Sequence, residues 1–487
     1  MGRKSDYSNG MYKQLQEIMG RLETVEKDSK QKIDTLNRRI DTLEKENHDL
    51  KEENRLLRDD NARLKSIINN DSSNTSLPPS TDQKGSRPVN TFNGREKTER
   101  SVGGQKGHAG TTLTKSFVQE KLRSGNCRHE IRNVGVVSGQ KYITKYILDL
   151  SVTPLITEVR IYPDEQGRMI IPKEYRSDVT YGVNVKAMAV SLYSEGVMSN
   201  DRIAAFLNAI SKEELCLSEG SIYGFCKKFA GNAKNSIMQL ETELLNQNVV
   251  ATDATLTTVN GEQNYIRNFS TEQTVLYCAM KSKTIAAMEG VNFLKKYTGI
   301  LVHDHETALY HFGTNHGECN VHLLRYLRKN TEDTGHKWSK EMTDLLCAMN
   351  RERKELIAQG KSSFPEETIV SYEQKYHALI AKGREENKTT AHKYAREEEM
   401  TLLNRMEKYS HNHLLFLHDF SVFFDDNISE RDLRKAKNRQ KMAGGFRKDS
   451  GHEMYCSILT IIETLKRRKM GLLENIKRLF MGAPAIF

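Results

Sequence analysis

The chain has 487 residues, a formal net charge of +10 and a pI near 9.0. It is long enough for more than one core and basic enough to favour a polyanionic partner. Hydrophobic residues make up 37%, mean hydropathy is −0.66, and no apolar run reaches the ~18 residues of a membrane helix. Seven dispersed cysteines without a CxxC pair exclude a disulfide framework and a four-cysteine zinc site. The polar start around Arg3 and Lys4 lacks an apolar leader core, so a cytoplasmic protein is expected.

From Leu15 to Ile68 the apolar positions run in heptads. Leu36, Leu43, Leu50, Leu57 and Leu64 recur every seven residues, with Ile33, Ile40, Asn47, Asn54, Asn61 and Ile68 in the alternate row. Ser29 to Ile33 spans four residues where three are expected, so two coiled-coil segments are expected to meet there. Leucine at d with asparagine at a favours a parallel homodimer, because each Asn finds its counterpart across the seam. The other reading is an amphipathic helix packed on its own chain. Residues 1–68 are therefore read as a dimerisation segment, and the residues before Leu15 hold no basic-zipper helix.

Residues 69–112 read as a basic linker. Leu77-Pro78-Pro79-Ser80-Thr81-Asp82 and Gly103-Gly104-Gln105-Lys106-Gly107-His108 cannot continue regular structure, and Lys84, Arg87, Arg95, Lys97 and Arg100 lie between them. Residues 113–181 hold β-branched stretches such as Val152 to Tyr162 and are expected to be a small β-rich domain. Residues 182–247 turn helical. One helix runs through Ala187, Met188, Val190 and Leu192 until Gly196 breaks it. Ser199 is set to cap a second, and Ser218 a third with Ile222, Phe225 and Phe229 on one face. Three short punctuated helices resemble a helix-turn-helix, and plain helical connectors look the same.

The next part, residues 248–335, alternates like a mixed sheet. Val249–Val259, Gln263–Ser270 and Thr274–Met280 read as strands, the first two joined by an Asn260-Gly261 hairpin turn. A helix around Met288–Tyr297 leads to a further strand, Ile300–Val302. The first strand carries Asp253 and the last ends on Asp304. Residues 336–420 read as a helical insertion with Trp338, Leu345, Leu346, Leu356, Tyr372, Tyr376, Leu379 and Ile380 on apolar stripes. Residues 421–487 complete the core. There Asn427 or Ser429 can cap a helix carrying Glu430, and Ile461, Ile462, Leu465, Leu472, Leu473, Ile476 and Leu479 form an amphipathic pair.

Asp253, Asp304 and Glu430 are the acids that matter. Taken singly, each is more commonly a turn residue or a helix-dipole partner. Gathered at one sheet edge, they would repel one another unless cations neutralise them, and an all-oxygen site suits two Mg²⁺ ions or Mn²⁺. Paired ions of that kind serve phosphodiester cleavage and transfer. Strands in this order, with a late helical acid, are those of an RNase H-like core. Directly after Glu430 come Arg431, Arg434, Lys437, Arg439, Lys441, Arg447 and Lys448, a basic run that reads as phosphate contacts and otherwise as a solvated face. Gly444-Gly445 would let backbone approach a phosphate. Cys319 and His322 can share one helical turn. His322 is either a packed histidine or a contact to DNA, and zinc is disfavoured for want of two more ligands.

These motifs in this order resemble the transposases of the insertion sequence 66 family, a bacterial DDE group. The resemblance rests on the coiled-coil start, the Pro/Ser and glycine-rich linkers, Asp253 and Val302-His303-Asp304. It rests equally on Cys319-Asn320-Val321-His322, Asn427-Ile428-Ser429-Glu430-Arg431 and Lys441-Met442-Ala443-Gly444-Gly445-Phe446-Arg447. It implies a multidomain α/β protein with an RNase H-like core and helical insertion, and metal ligation by Asp253, Asp304 and Glu430. It also implies binding of double-stranded DNA in the nucleoid, and accessory proteins of the same element. Members usually carry a zinc-binding cysteine cluster after the linker. Only Cys127 and His129 stand there, so a domain that has lost its zinc is expected. A non-catalytic DNA-binding dimer derived from a transposase is the alternative, and an RNase H-like nuclease acting on RNA or junctions a weaker third.

Overall fold

A computed structural model describes residues 3–71, 74–75, 113–125, 127–131, 143–150, 152–172, 175–195 and 198–487. The basic and proline-bearing linker positions Leu77 to Arg100, the glycine run Gly103 to Gly110 and the helix breaker Gly196 lie outside the described residues. By contact the chain divides into two units.

The helical unit gathers the N-terminal helix with Leu323–Ala348 and Val370–Ser410. Helix α1 (Arg3–Ile68) is continuous for 66 residues and passes Ser29 unbroken, so the heptad skip does not end it. Its last turns pack on the unit's own helices. Asp59 meets His392 at 3.2 Å and the Ser66 hydroxyl donates to Asp333 at 2.9 Å. Asp59, Ala62 and Ser66, the residues covered there, belong to the b and f positions of the heptad. The a/d row stays open, with Leu36, Leu43, Leu50 and Leu57 all more than half exposed. The reading of a helix packed on its own chain holds for the b/f face of these last turns, and the a/d row is left without a covering element among the described residues. A buried Glu399 organises the rest of the unit by accepting from Trp338 Nε1 at 2.6 Å and from Asn330 and Asn387.

The second unit holds Asp253, Asp304 and Glu430. In residues 113–181 the described part has one helix, α2 (Lys115–Arg123), and no strand. This departs from the β-rich domain expected there. The apolar side chains of the stretch that suggested strands stand exposed, among them Leu155, Ile156 and Val159. A strand needs a hydrogen-bonded neighbour, and local propensity does not supply one.

Four helices follow: α3 (Val183–Glu195), α4 (Asn200–Ile210), α5 (Glu219–Asn232) and α6 (Lys234–Leu245). Ser199 and Ser218 cap α4 and α5 through the N–H groups of Arg202 and Ser221. They lead into strands β1 (Val249–Val259), β2 (Glu262–Ser270) and β3 (Val275–Met280). Asn260 and Gly261 both take positive φ, as the two-residue hairpin requires. Short helices α7 (Ile285–Glu289) and α8 (Asn292–Lys296) replace the single helix expected before β4 (Ile300–His303). A 3₁₀ turn, Thr307–His311, precedes β5 (Asn315–Glu318), a strand the sequence reading missed. Its Asn-His-Gly-Glu sequence has no β-branched residue, and its backbone is held by pairing with β4.

The five strands form one mixed sheet in the order β3-β2-β1-β4-β5. β1 is antiparallel to β2 and parallel to β4, which is parallel to β5. One face, with Val259, Ile266, Val275 and Tyr277, shares a core with Ile203, Ile222, Phe229 and the C-terminal helices α16 (Asp449–Arg467) and α17 (Leu472–Phe480). The helical segment 182–247 is thus built into the same core rather than standing as a module of its own. The other face, with Val250, Phe269 and Leu301, is covered by Met288, Phe293, Leu294 and Tyr297.

Helices α9 (Asn320–Thr334), α10 (Lys337–Ala358), α11 (Glu366–Asn387), α12 (Lys393–Lys408) and α13 (Ser410–His418) run between β5 and the last acid. Residues 349–369 and 411–420, expected inside the insertion, belong to the sheet-bearing unit. The Phe364 and Phe420 rings pack edge to face there, and Arg353 donates to the carbonyls of Phe420 and Val422.

Candidate active site

The site is built where β1, β4 and α14 (Asn427–Asp432) meet. β1 and β4 pair as Ala251 beside Val302, and continuing that register sets Asp253 beside Asp304. Asp253 stands on β1 and Asp304 directly after β4, each partly accessible. Burial, then the charge of Asp304, holds the Asp253 carboxyl above its ordinary range, while Lys437 and Lys283 pull it down. Glu430 comes from a distant part of the chain and lies 3.4 Å from His322 Nε2.

Supporting residues fix these acids. Asn268, opposite Asp253 on β2 and fully buried, accepts from the Asp253 N–H at 3.1 Å and donates to the Ser429 carbonyl at 3.0 Å. One side chain thus ties the strand of Asp253 to the helix of Glu430. The far end of α14 is held by Asp432, which accepts from the Ser270 hydroxyl at 2.6 Å and pairs with Arg467. The turn after Asp304 is gripped on both sides. His305, at positive φ, meets the buried Glu318 at 2.6 Å, and Glu306 pairs with the fully buried Arg267 at 2.6 Å. Glu318 also accepts from His413 Nε2 at 2.9 Å and from the Tyr310 hydroxyl. Behind Asp304, burial holds the His303 and His316 rings well below the usual histidine range. Counting outward from the Asn260-Gly261 turn would have found Asn268. Nothing local in sequence marks Arg267, Glu318 or His413.

Asp426 is the acid that sequence reading passed over. Helix α14 starts at Asn427, so neither Asn427 nor Ser429 is its cap: Asp426 holds that position, without a capping side-chain bond. Asp426 is fully buried, and burial with the nearby charges of Asp253, Asp304 and Glu430 drives its carboxyl far upward. The Ser429 hydroxyl lies alongside, yet neither Asp426 oxygen has a partner at hydrogen-bonding geometry. Cys319 and His322 face this turn together. The Cys319 sulfur accepts the Asp426 N–H at 3.2 Å, and His322 abuts Glu430.

Among the described residues no three His, Cys, Asp or Glu side chains converge closely enough to hold a metal ion as they stand. The charge of Asp304 helps raise Asp253, and the charges of Asp253, Asp304 and Glu430 add to the burial that raises Asp426. The donor set is nonetheless all carboxylate, and a buried carboxylate without a donor is chemistry that a hard divalent cation satisfies.

The basic run divides by face. Arg431, Arg434, Lys441, Arg447 and Lys448 are exposed and Lys437 is partly so. Arg439 is not a surface residue, contrary to expectation. On α15 (Arg434–Ala443) it turns inward, its guanidinium 4.3, 5.0 and 5.5 Å from the ring centres of Tyr193, Tyr455 and Phe446. Helical period explains this, since Ala436 and Arg439 lie three apart on the buried side. Gly444 and Gly445 also serve a different end. Gly444 closes α15 in the left-handed region, and a Cβ on Gly445 would collide with the Thr258 carbonyl. Backbone approaches β1 there, with the Phe446 N–H donating to Thr258 O at 2.7 Å.

The family model described as Transposase IS66 family matches residues 179–454, more than half of the chain. The chain belongs to that family. The matched range includes the whole sheet, Asp253, Asp304, Asp426 and Glu430, and the basic run. Family membership carries a transposase-type function with DNA as partner. No curated protein matched the chain. Among its described residues no helix is long and apolar enough to cross a membrane.

Proposed function

We propose that this transposase binds the terminal inverted repeats of an insertion sequence and catalyses DNA strand cleavage and strand transfer in an RNase H-like core. The observation that supports the reading is the neighbouring register of Asp253 on β1 and Asp304 after β4, with Glu430 on α14 near enough for all three charges to act on the same buried Asp426. The strand order β3-β2-β1-β4-β5, with only β2 reversed between its neighbours, supports the RNase H-like assignment.

Asp253, Asp304 and Glu430 would hold the cations. Two Mg²⁺ ions, or Mn²⁺ in their place, supply activation of the attacking oxygen and charge stabilisation on the leaving one. The chain's own groups position and exclude. Asn268 keeps β1 against α14, the His305 and Glu306 anchors keep Asp304 in line, and His322 orients Glu430. Water attacks in the first step and the freed 3′-hydroxyl in the second, so no serine or tyrosine nucleophile is required. Arg431, Arg434, Lys437, Lys441, Arg447 and Lys448 contact phosphates, and the open a/d row of α1 pairs two copies.

Purified protein with Mg²⁺ should cut DNA carrying the element ends to expose 3′-hydroxyls, and join those ends to target. Chelation with EDTA should stop both. Binding that is tight and specific but never followed by cutting would leave a DNA-binding regulator in its place. Affinity should also fall steeply with salt. Neutralising Arg434, Lys437, Lys441 and Arg447 together should flatten the log–log slope by about 0.9 for each phosphate that is no longer neutralised. An unchanged slope moves the DNA to another face.

A further inference from the structure

Asp426 is left over once Asp253, Asp304 and Glu430 have their roles. An aspartate at an N-cap ordinarily accepts from the N–H groups of its own helix, and this one does not. It is fully buried, and its backbone N–H is engaged by Cys319. A carboxylate in that position needs a proton or a cation. Neither of its oxygens has a partner at hydrogen-bonding geometry, the Ser429 hydroxyl alongside included. Around it stand three further acids, Asp253, Asp304 and Glu430. The Glu430 N–H donates to the Asp426 carbonyl at 3.1 Å, so the two acids sit one helical turn apart on the same face of α14.

We propose that Asp426 is a fourth carboxylate ligand for the divalent cation, sharing with Glu430 the position that α14 contributes. This rests on the metal reading above. It makes the third acid of the site a pair: Glu430, partly accessible beside His322, and Asp426, fully buried. The buried acid would help hold a cation that Glu430 reaches from the accessible side.

The test is Mn²⁺ binding to the full-length protein without DNA, followed by the electron paramagnetic resonance of free MnCl₂, with melting temperature recorded at each concentration. Asp426→Asn should weaken Mn²⁺ binding about tenfold or more and shrink the Mn²⁺-induced rise in melting temperature. Without metal the same variant should melt no lower than the unaltered chain, because the carboxyl it replaces makes no hydrogen bond there. Asp426→Ala carries the binding test if asparagine is not tolerated. Wild-type affinity in these variants, with Asp253→Asn defective, overturns the role of Asp426 and leaves the metal reading standing. Equal binding by wild type and Asp253→Asn, or none by either, overturns both.

Discussion

Asp253→Asn, Asp304→Asn and Glu430→Gln are each expected to lower DNA cleavage and strand transfer by roughly a thousandfold or more, because the acids act as one unit. Any double variant should be scarcely worse than a single one. DNA binding should be kept or slightly tightened, since each change removes a negative charge from a surface that receives phosphates. Stability argues the same way. Asp253 is held above its ordinary range by burial and by Asp304, so Asp253→Asn relieves a repulsion and should not lower the melting temperature. Loss of activity with an unchanged melt is then a chemical effect. Glu306 and Glu463 are unsuitable controls, because they hold Arg267 and Lys435 in place. Glu474, exposed and paired only across one turn with Lys477, is a better one, and Glu474→Gln should retain full activity. Three active primary variants would remove the catalytic role of these acids and place the chemistry elsewhere in the chain.

The second large effect is expected at the α1 seam. Leu43→Lys with Leu50→Lys should convert a dimer into a monomer. The two substitutions remove four leucines from a paired seam, on the order of 6 kcal/mol or more and about four decades in Kd. Sedimentation at micromolar protein reads this directly. Orientation is read by Leu50→Cys after the exposed Cys127 and Cys216 are changed to serine. A parallel pair joins position 50 to position 50 in high yield, as Asn47, Asn54 and Asn61 require partners in register. A wild-type chain that sediments as a monomer, or fails to cross-link there, removes the dimer.

Much of the central sheet was legible because its signals are local. A two-residue Asn-Gly turn sets the register of β1 on β2, and serines before apolar runs set the starts of α4 and α5. Asp304 and Glu430 stand out in the sequence because one directly follows a strand and the other lies in a helix's first turn, whereas Asp253 lies inside β1. What stayed hidden depends on partners distant in sequence. The β-branched runs near Val152 form no strand among the described residues, since propensity cannot create a neighbour. Arg439 reads as surface charge until helical phase and three aromatic rings turn it inward. Asp426 looks like a second copy of Asp425, and only the fold shows it buried among other acids.

The bridge between Val259 and Phe446 fixes a length. Asp253 and Val259 lie on one strand, six residues apart, which spans about 20 Å at ~3.3 Å per residue. Arg447 is therefore held at a set distance from the acids by a rigid rod, rather than carried on a free tail. Twenty ångströms is about six base pairs at ~3.4 Å each. On the proposed reading, a duplex lying along β1 would be gripped by Arg447 roughly half a helical turn from the phosphate being cut. Strand β1 would then serve as a ruler, and the place of cleavage would be measured from a grip that takes no part in the chemistry.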